Sequence, residues 1–151
     1  MLGRRGQSGF TLIELIVATA ILLTLTSLAL PLARVRIQRE KEVVLRRALW
    51  EMRDAVDRYK EAADRNMFQT KVGSDGYPPD LETLVNGVDV AGKKVRFLRR
   101  IPTDPFTNSK EWGLRSTQDD PESTSWGGQN VFDVYSKSDR EALDGSKYAE
   151  W

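Results

Sequence analysis

The chain has 151 residues, of which 40% are hydrophobic, 23 are lysine or arginine and 22 are aspartate or glutamate. This length suits a single small globular domain, and the near balance of charge gives no argument for nucleic acid as a partner. There is no cysteine and no histidine, which excludes disulfide bonds, thiolate chemistry, the usual zinc ligands and every catalytic triad that depends on imidazole.

An apolar segment covers residues 10–32, and Glu14 is its only charged side chain. As an α-helix this segment would be roughly 34 Å long, enough to cross the hydrocarbon core of a membrane. Residues 1–9 precede it with Arg4 and Arg5 and no acid, which favours a cytoplasmic position for this end. Because more basic residues follow the segment, the charge pattern leaves its orientation ambiguous.

Three interpretations of the apolar segment are open. An ordinary secretory signal is shorter, and cleavage after Ala20 would leave much of the apolar run on the mature protein. A plain single-span anchor explains the length but not Glu14, because a lone carboxylate costs about 2.5–3.5 kcal/mol at the bilayer centre and less toward the interface. If the chain is cut between Gly9 and Phe10, the new α-amino group of a neighbouring copy can pair with Glu14 and set the register of an oligomer.

The start of this segment resembles, residue for residue, the class III signal of type IV pilins and pseudopilins, over Gly9-Phe10-Thr11-Leu12-Ile13-Glu14-Leu15. The resemblance implies a leader of residues 1–9, cleavage after Gly9 by a prepilin peptidase, N-methylation of Phe10, and Glu14 as the assembly glutamate. Pro31 falls where pilin helices carry a proline, which would kink or loosen the helix. The alternative is that Pro31 ends the membrane helix.

Residues 33–67 are charged but periodic, and they predict an amphipathic stalk helix that continues from the anchor. The predicted apolar stripe of this helix consists of Leu45, Leu49, Met52, Val56, Tyr59 and Ala63. Such a stripe is more often covered by the protein's own sheet than by a coiled-coil partner, so we interpret it as core.

Residues 68–151 are expected to form the globular domain. Gly73 to Gly76 interrupts the helical pattern, and Asp80 then predicts the N-cap of a short helix over residues 81–85. Two stretches rich in aromatic or branched residues predict strands, at 111–115 and 130–135. The predicted fold class is α+β: a long N-terminal helix, comprising membrane anchor and amphipathic stalk, packed on a small antiparallel sheet, as in pilins.

A basic cluster within this domain comprises Lys93, Lys94, Arg96, Arg99 and Arg100. Phe97 is the one aromatic residue interleaved with it, so no platform for stacking bases accompanies the charges. We interpret the cluster as a solvated face or a contact with an acidic neighbour, and we expect no nucleic-acid partner.

The globular domain narrows the resemblance to the major pseudopilin of type II secretion. The similar segments are Tyr77-Pro78, Leu81 to Val85, Arg100 to Phe106, Phe132 to Ser136, and Trp151. Type IV pilins usually close this region with a disulfide, which a chain without cysteine cannot form. The resemblance implies a non-enzymatic filament subunit, anchored once in the inner membrane with its C-terminal domain in the periplasm. Its implied partners are further copies, other pseudopilins, inner-membrane assembly-platform proteins, prepilin peptidase, and membrane lipid before assembly.

The C-terminal region is acidic, and Ser136 to Ser146 combines carboxylates, hydroxyls and a glycine turn, the oxygen set that Ca²⁺ takes. It is not an EF-hand, because Leu143 falls where the third acidic ligand belongs. From the residues alone, a solvated acidic loop and a calcium site are both open. Major pseudopilins carry Ca²⁺ in this loop, and the resemblance implies Asp139 and Asp144 as ligands, with Ser138 or nearby carbonyls completing the shell.

Three functions are therefore open. The first is a pseudopilus subunit, since one heterologous contact repeated along a series of copies builds a helical filament that drives protein export. The second is a type IV pilin of a surface filament for adhesion, motility or DNA uptake. The third is an anchored calcium-binding or enzymatic domain, although no nucleophile, imidazole or phosphate loop accompanies the carboxylates.

Overall fold

The computed structural model describes residues 11–121 and 123–151. Its elements are α1 (Leu12–Asp64), α2 (Leu81–Asn86), β1 (Val88–Val90), β2 (Lys93–Val95), β3 (Gly113–Arg115), β4 (Asp133–Tyr135) and one turn of 3₁₀-helix (Tyr148–Glu150). The chain divides into two compact units between Ile37 and Gln38. A long N-terminal helix with small antiparallel sheets is the predicted pilin-like α+β fold class, which is confirmed.

Helix α1 continues through Pro31, which lies inside it. The interpretation in which Pro31 ends the membrane helix is therefore wrong, while loosening of the helix at Pro31 stays a prediction. The helix ends at Asp64 because Asn66 adopts a φ of 53°. The amide of Met67 then donates to the carbonyl of Ala62 at 3.1 Å, the hydrogen bond that closes a helix after a left-handed residue. The helix thus ends slightly before the predicted boundary at residue 67.

The apolar stripe of α1 forms the core of residues 38–151. All of its predicted members are buried, namely Leu45, Leu49, Met52, Val56, Tyr59 and Ala63. All of them except Ala63 belong to the same cluster as Leu84 of α2, Trp112 beside β3, Val134 of β4 and Tyr148. Full burial of one large aliphatic side chain stabilises a fold by about 1.5–3 kcal/mol, so this stripe holds the domain on its helix. The interpretation of the stripe as core is confirmed.

Helix α2 begins at the predicted residue because Asp80 caps it. The Asp80 carboxylate accepts a hydrogen bond from the amide of Thr83 at 2.7 Å, and such a cap is worth about 1 kcal/mol. The helix buries Leu81 and Leu84, and Gly87 follows it with a φ of 79°. Only a residue without a side chain fits there, because a Cβ on Gly87 would lie 2.4 Å from the carbonyl oxygen of Val95.

The two predicted strands pair as β3 and β4, which run antiparallel with Gly113 opposite Tyr135. The Tyr135 ring lies across Gly113, since a Cβ there would come within 2.2 Å of the ring. The Arg115 guanidinium also packs over the Tyr135 ring, 4.3 Å from its centroid. Each predicted stretch contains a strand, and each strand begins later than predicted, at Gly113 and at Asp133.

A second sheet was not predicted from the sequence. Strands β1 and β2 form a hairpin of their own, with Val88 opposite Val95, and its turn places Ala91 and Gly92 at φ values of 49° and 80°. Two consecutive residues with positive φ make the tight turn whose twist suits a hairpin. Part of the basic cluster therefore lies on β2, and all five of its basic side chains are exposed.

Candidate functional site

The N-terminal end of α1 carries the predicted assembly residue. The amide of Glu14 donates to the Thr11 hydroxyl at 3.3 Å, so Thr11 caps the helix and Glu14 lies in its first turn. A carboxylate in this position is stabilised by the helix macrodipole. Gly9 and Phe10, the predicted processing residues, lie outside the described residues.

The apolar part of α1 satisfies its other polar side chains internally. The hydroxyls of Thr19, Thr24, Thr26 and Ser27 all donate to carbonyls of the same helix, at 2.7 to 3.0 Å. The Glu14 side chain has no such partner among the described residues. This helix is long and apolar enough to cross a membrane, which is consistent with membrane anchoring. The large apolar side chains of residues 12–25 are exposed, Leu12 by 76% and Leu23 by 72%, so they are available to lipid or to other copies.

The C-terminal loop holds the three residues predicted to bind calcium. Ser138 is buried, and its hydroxyl accepts a hydrogen bond from the amide of Arg140 at 3.4 Å. Asp144 is exposed and accepts from both the hydroxyl and the amide of Ser146, at 2.6 and 3.0 Å. These hydrogen bonds lower the pKa of Asp144 below its ordinary value. Asp139 is exposed and forms no hydrogen bond or ion pair with a described residue.

The calcium site stays a prediction. Within residues 11–121 and 123–151, no three His, Cys, Asp or Glu side chains lie together as a metal-binding group. One carboxylate oxygen of Asp144 accepts both bonds from Ser146, and the other lies 3.9 Å from the Arg46 guanidinium. A cation would therefore have to compete with Arg46 for Asp144, and Asp139 is the other carboxylate of the predicted ligand set. Backbone carbonyls and hydroxyls would have to complete the shell, as Ca²⁺ tolerates.

Calcium binding should be visible as a rise in melting temperature of the detergent-solubilised chain when Ca²⁺ replaces chelator, with Mg²⁺ substituting poorly. Asp139→Ala should abolish this rise without changing the melting temperature in chelator, because Asp139 has no structural partner. Asp57→Ala, a change of another exposed acid, is the matched control. If the loop is only solvated, Ca²⁺ will not change the wild type and Asp139→Ala will shift stability by no more than about 0.5 kcal/mol.

Tyr148 holds the C-terminal segment against α1, a contact that was not predicted from the sequence. The contacts that Tyr148, Trp151 and Arg53 make here are called the C-terminal clamp below. Its hydroxyl donates to a carboxylate oxygen of Glu42 at 2.9 Å and accepts from the side-chain amide of Gln38 at 2.9 Å. The same Glu42 oxygen accepts from the amide of Leu143 at 2.8 Å, and Gln38 also donates to the carbonyl of Glu141 at 3.0 Å. Gln38 and Glu42, about one turn apart on α1, thus hold this segment through hydrogen bonds.

Aromatic rings extend the clamp. The Tyr148 ring stacks on Phe106 at 3.9 Å and meets the edge of Trp151 at 5.1 Å between centroids. The Arg46 guanidinium lies 3.7 Å from the Trp151 ring centroid, and the indole N–H donates to Ser146 at 2.7 Å. A cation over an indole ring is among the stronger contacts of its kind.

Arg53 closes the clamp at its other end. It forms an ion pair with Asp133 at 2.7 Å and donates to the backbone carbonyls of Val134 and Trp151, at 3.0 and 2.8 Å. Gln38, Glu42, Arg46 and Arg53 lie on one side of α1, next to the apolar stripe. The helical spacing of these polar residues indicates that they share one side of α1, but it does not indicate that the C-terminal segment is what they contact.

The motif around Asp104 also has a structural role. Asp104 is fully buried, and its carboxylate accepts from the Ser136 hydroxyl at 2.5 Å and from the amide of Phe106 at 2.7 Å. The Ser136 hydroxyl in turn accepts from the amide of Ser138 at 3.1 Å. This network joins the segment that carries Phe106 to residues 136–138, which come directly before Asp139.

One family model matches the chain, described as the prokaryotic N-terminal methylation motif, over residues 4–30. The match covers the predicted cleavage junction, the first turn of α1 with Glu14, and most of the apolar segment. Among curated proteins and solved structures, none matches the chain. The motif supports the type IV pilin and pseudopilin superfamily, and it implies processing by prepilin peptidase and assembly into a filament.

Proposed function

We propose that this chain is a structural subunit of a type II secretion pseudopilus, a helical filament that grows from the inner membrane and drives protein export. The globular domain would then lie in the periplasm. The observation that supports the proposal is the match to the methylation motif over residues 4–30, together with Glu14 as the only charged residue of the apolar segment 10–32.

Assembly follows from the chemistry of this helix. The Glu14 carboxylate has no counter-charge among the described residues, and the surrounding apolar side chains are exposed. Cleavage after Gly9 would create an α-amino group at Phe10, and a neighbouring copy could present it to Glu14. Insertion as a single chain leaves this carboxylate unpaired, whereas a filament provides its partner.

The C-terminal clamp supports a pseudopilin over a surface pilin. Pilins of surface filaments usually hold this region with a disulfide, and this chain has no cysteine. Here Tyr148, Trp151 and Arg53 hold the segment through hydrogen bonds, ring contacts and an ion pair. These non-covalent contacts hold the segment without a disulfide, which is compatible with the proposed assignment.

Removal of the gene from its natural host tests the assignment. A pseudopilus subunit predicts that exported proteins accumulate in the periplasm, and that overproduction of the chain gives filaments in electron micrographs. Normal export together with loss of surface filaments would assign the chain to a surface pilus instead. Normal export with no filament at all would contradict both assignments.

Processing at the Gly9 junction gives a second test. Mass spectrometry of the membrane form should show a chain that begins at N-methylated Phe10. Gly9→Ala should reduce cleavage and leave the full-length precursor, because the peptidase motif requires this position, whereas Gly6→Ala in the same leader should be cleaved normally. A mature chain that begins at Met1 or after Ala20 would refute the proposed processing.

A further inference from the structure

A groove with an apolar floor runs between α1 and the segment that follows the hairpin. It has a volume of about 890 Å³, and its walls come from α1 and from residues 99–103 with Lys110. Val44, Ala48 and Ile101 supply apolar surface, and Val44 is 51% exposed although it lies beside the core. This floor can accept an apolar side chain from outside the chain.

The rim of the groove is basic. Arg47, Arg99, Arg100 and Lys110 are exposed, and none of them forms an ion pair with a described residue. Glu51 is the acidic side chain in the lining, so positive charge remains in excess. The groove therefore suits a segment that combines carboxylates with an apolar side chain.

The acidic loop, residues 139–145, offers that combination. Leu143 is 40% exposed, and Asp139, Glu141 and Asp144 surround it in the sequence. The ion pair of Asp144 with Arg46 spans 3.9 Å between side chains that are 60% and 62% exposed, so it contributes little and can exchange partners.

The loop and the groove lie on opposite sides of α1. The backbone amide of Leu143 donates to the Glu42 carboxylate at 2.8 Å, whereas Glu51 lines the groove. These two glutamates are about two and a half turns apart on the helix, so their side chains point in opposite directions. The loop of one chain therefore cannot reach its own groove.

We propose that the acidic loop of one copy docks into the basic groove of the next, with Leu143 on the apolar floor and the acids on the rim. The proposal rests on the proposed filament function, and it names a contact between globular domains. Because the two surfaces differ and face apart, the contact is heterologous and leaves a free loop and a free groove at the ends of any series.

Disulfide cross-linking tests this contact cleanly, because the chain has no cysteine. Under mild oxidation in cells, full-length chains that carry both Val44→Cys and Leu143→Cys should give a ladder of dimers, trimers and longer species. Either substitution alone should give no ladder. A matched control combines Leu143→Cys with Val72→Cys, whose side chain is 99% exposed outside the groove and should report only random collision.

Charge reversal tests the rim. Adding Arg99→Glu and Arg100→Glu to the two-cysteine chain should reduce the ladder about tenfold, and adding Glu141→Arg as well, which leaves the predicted calcium ligands unchanged, should restore it in part. A ladder no stronger than the Val72 control, or a Val44→Cys adduct with a protein of another size, would overturn docking of a second copy. If wild-type filaments are visible while the ladder is absent, only this contact fails. A ladder in cells without filaments would instead count against the proposed function.

Discussion

Glu14→Leu should insert into the membrane at least as well as the wild type while ordered filament assembly is lost. Insertion should improve because the substitution removes the one charge of the apolar segment. Assembly should fail because the new α-amino group at Phe10 of a neighbour would lose its counter-charge. Breaking a buried ion pair by removing one partner costs about 3–5 kcal/mol, which corresponds to more than about a hundredfold in association.

Two further substitutions separate charge from polarity at this position. Glu14→Gln keeps the shape and hydrogen-bonding capacity but not the charge, so it should also fail to assemble. Thr19→Val removes a polar group in the same segment whose hydroxyl only bonds its own helix at 2.9 and 3.0 Å, so it should assemble normally. The readouts are carbonate-resistant membrane protein for insertion and electron micrographs for filaments. Wild-type assembly of Glu14→Leu, with normal helical order, would show that this carboxylate does not set the register.

The elements that the sequence predicted well are those whose signals are local. Asp80 is a residue type typical of a helix N-cap, and the apolar stripe has the period of a helix with one covered face. The processing motif lies within a few consecutive residues, so the sequence and the family model identify the same segment. The end of α1 was placed slightly late because Asn66 was not recognised as a left-handed terminating residue.

The features that were missed depend on contacts between distant residues or on weak patterns. Each strand of hairpin β1–β2 has only three residues, too few to establish an alternating pattern, and β2 begins with Lys93 and Lys94. The bond between Glu42 and Tyr148 joins residues 106 apart, and no local pattern pairs them. For the same reason, the sequence did not reveal that Gln38 and Glu42 of α1 hold the acidic loop.

The clamp makes a quantitative prediction of its own, that Tyr148→Ala should lower the free energy of unfolding by about 3–5 kcal/mol. Tyr148 is fully buried, and its removal leaves a cavity beside the stacked Phe106 ring and the Trp151 edge. Tyr148→Phe keeps the ring contacts and loses only the hydroxyl, which leaves Gln38 and Glu42 without that partner. This variant should lose about 1–3 kcal/mol.

Urea unfolding of the detergent-solubilised chain, followed by tryptophan fluorescence, measures both variants. Tyr77→Phe is the matched control, because its hydroxyl makes no hydrogen bond with a described residue while its ring meets Phe132 edge-on at 5.3 Å. If Tyr148→Ala stays within about 1 kcal/mol of the wild type, the clamp does not hold the C-terminal segment.

The pH dependence of stability in the Tyr148 variants tests independently whether the Tyr148 hydroxyl is enclosed. Burial raises the pKa of the Tyr148 hydroxyl above its ordinary value of 10.0, so the folded chain resists its ionisation. The stability that this group contributes is present below about pH 10 and is lost as the pH rises through the folded-state pKa. Wild-type stability should therefore fall more steeply than that of Tyr148→Phe above this pH. Parallel curves would show that the hydroxyl is as accessible to water in the folded chain as in the unfolded one, and that Gln38 and Glu42 do not enclose it.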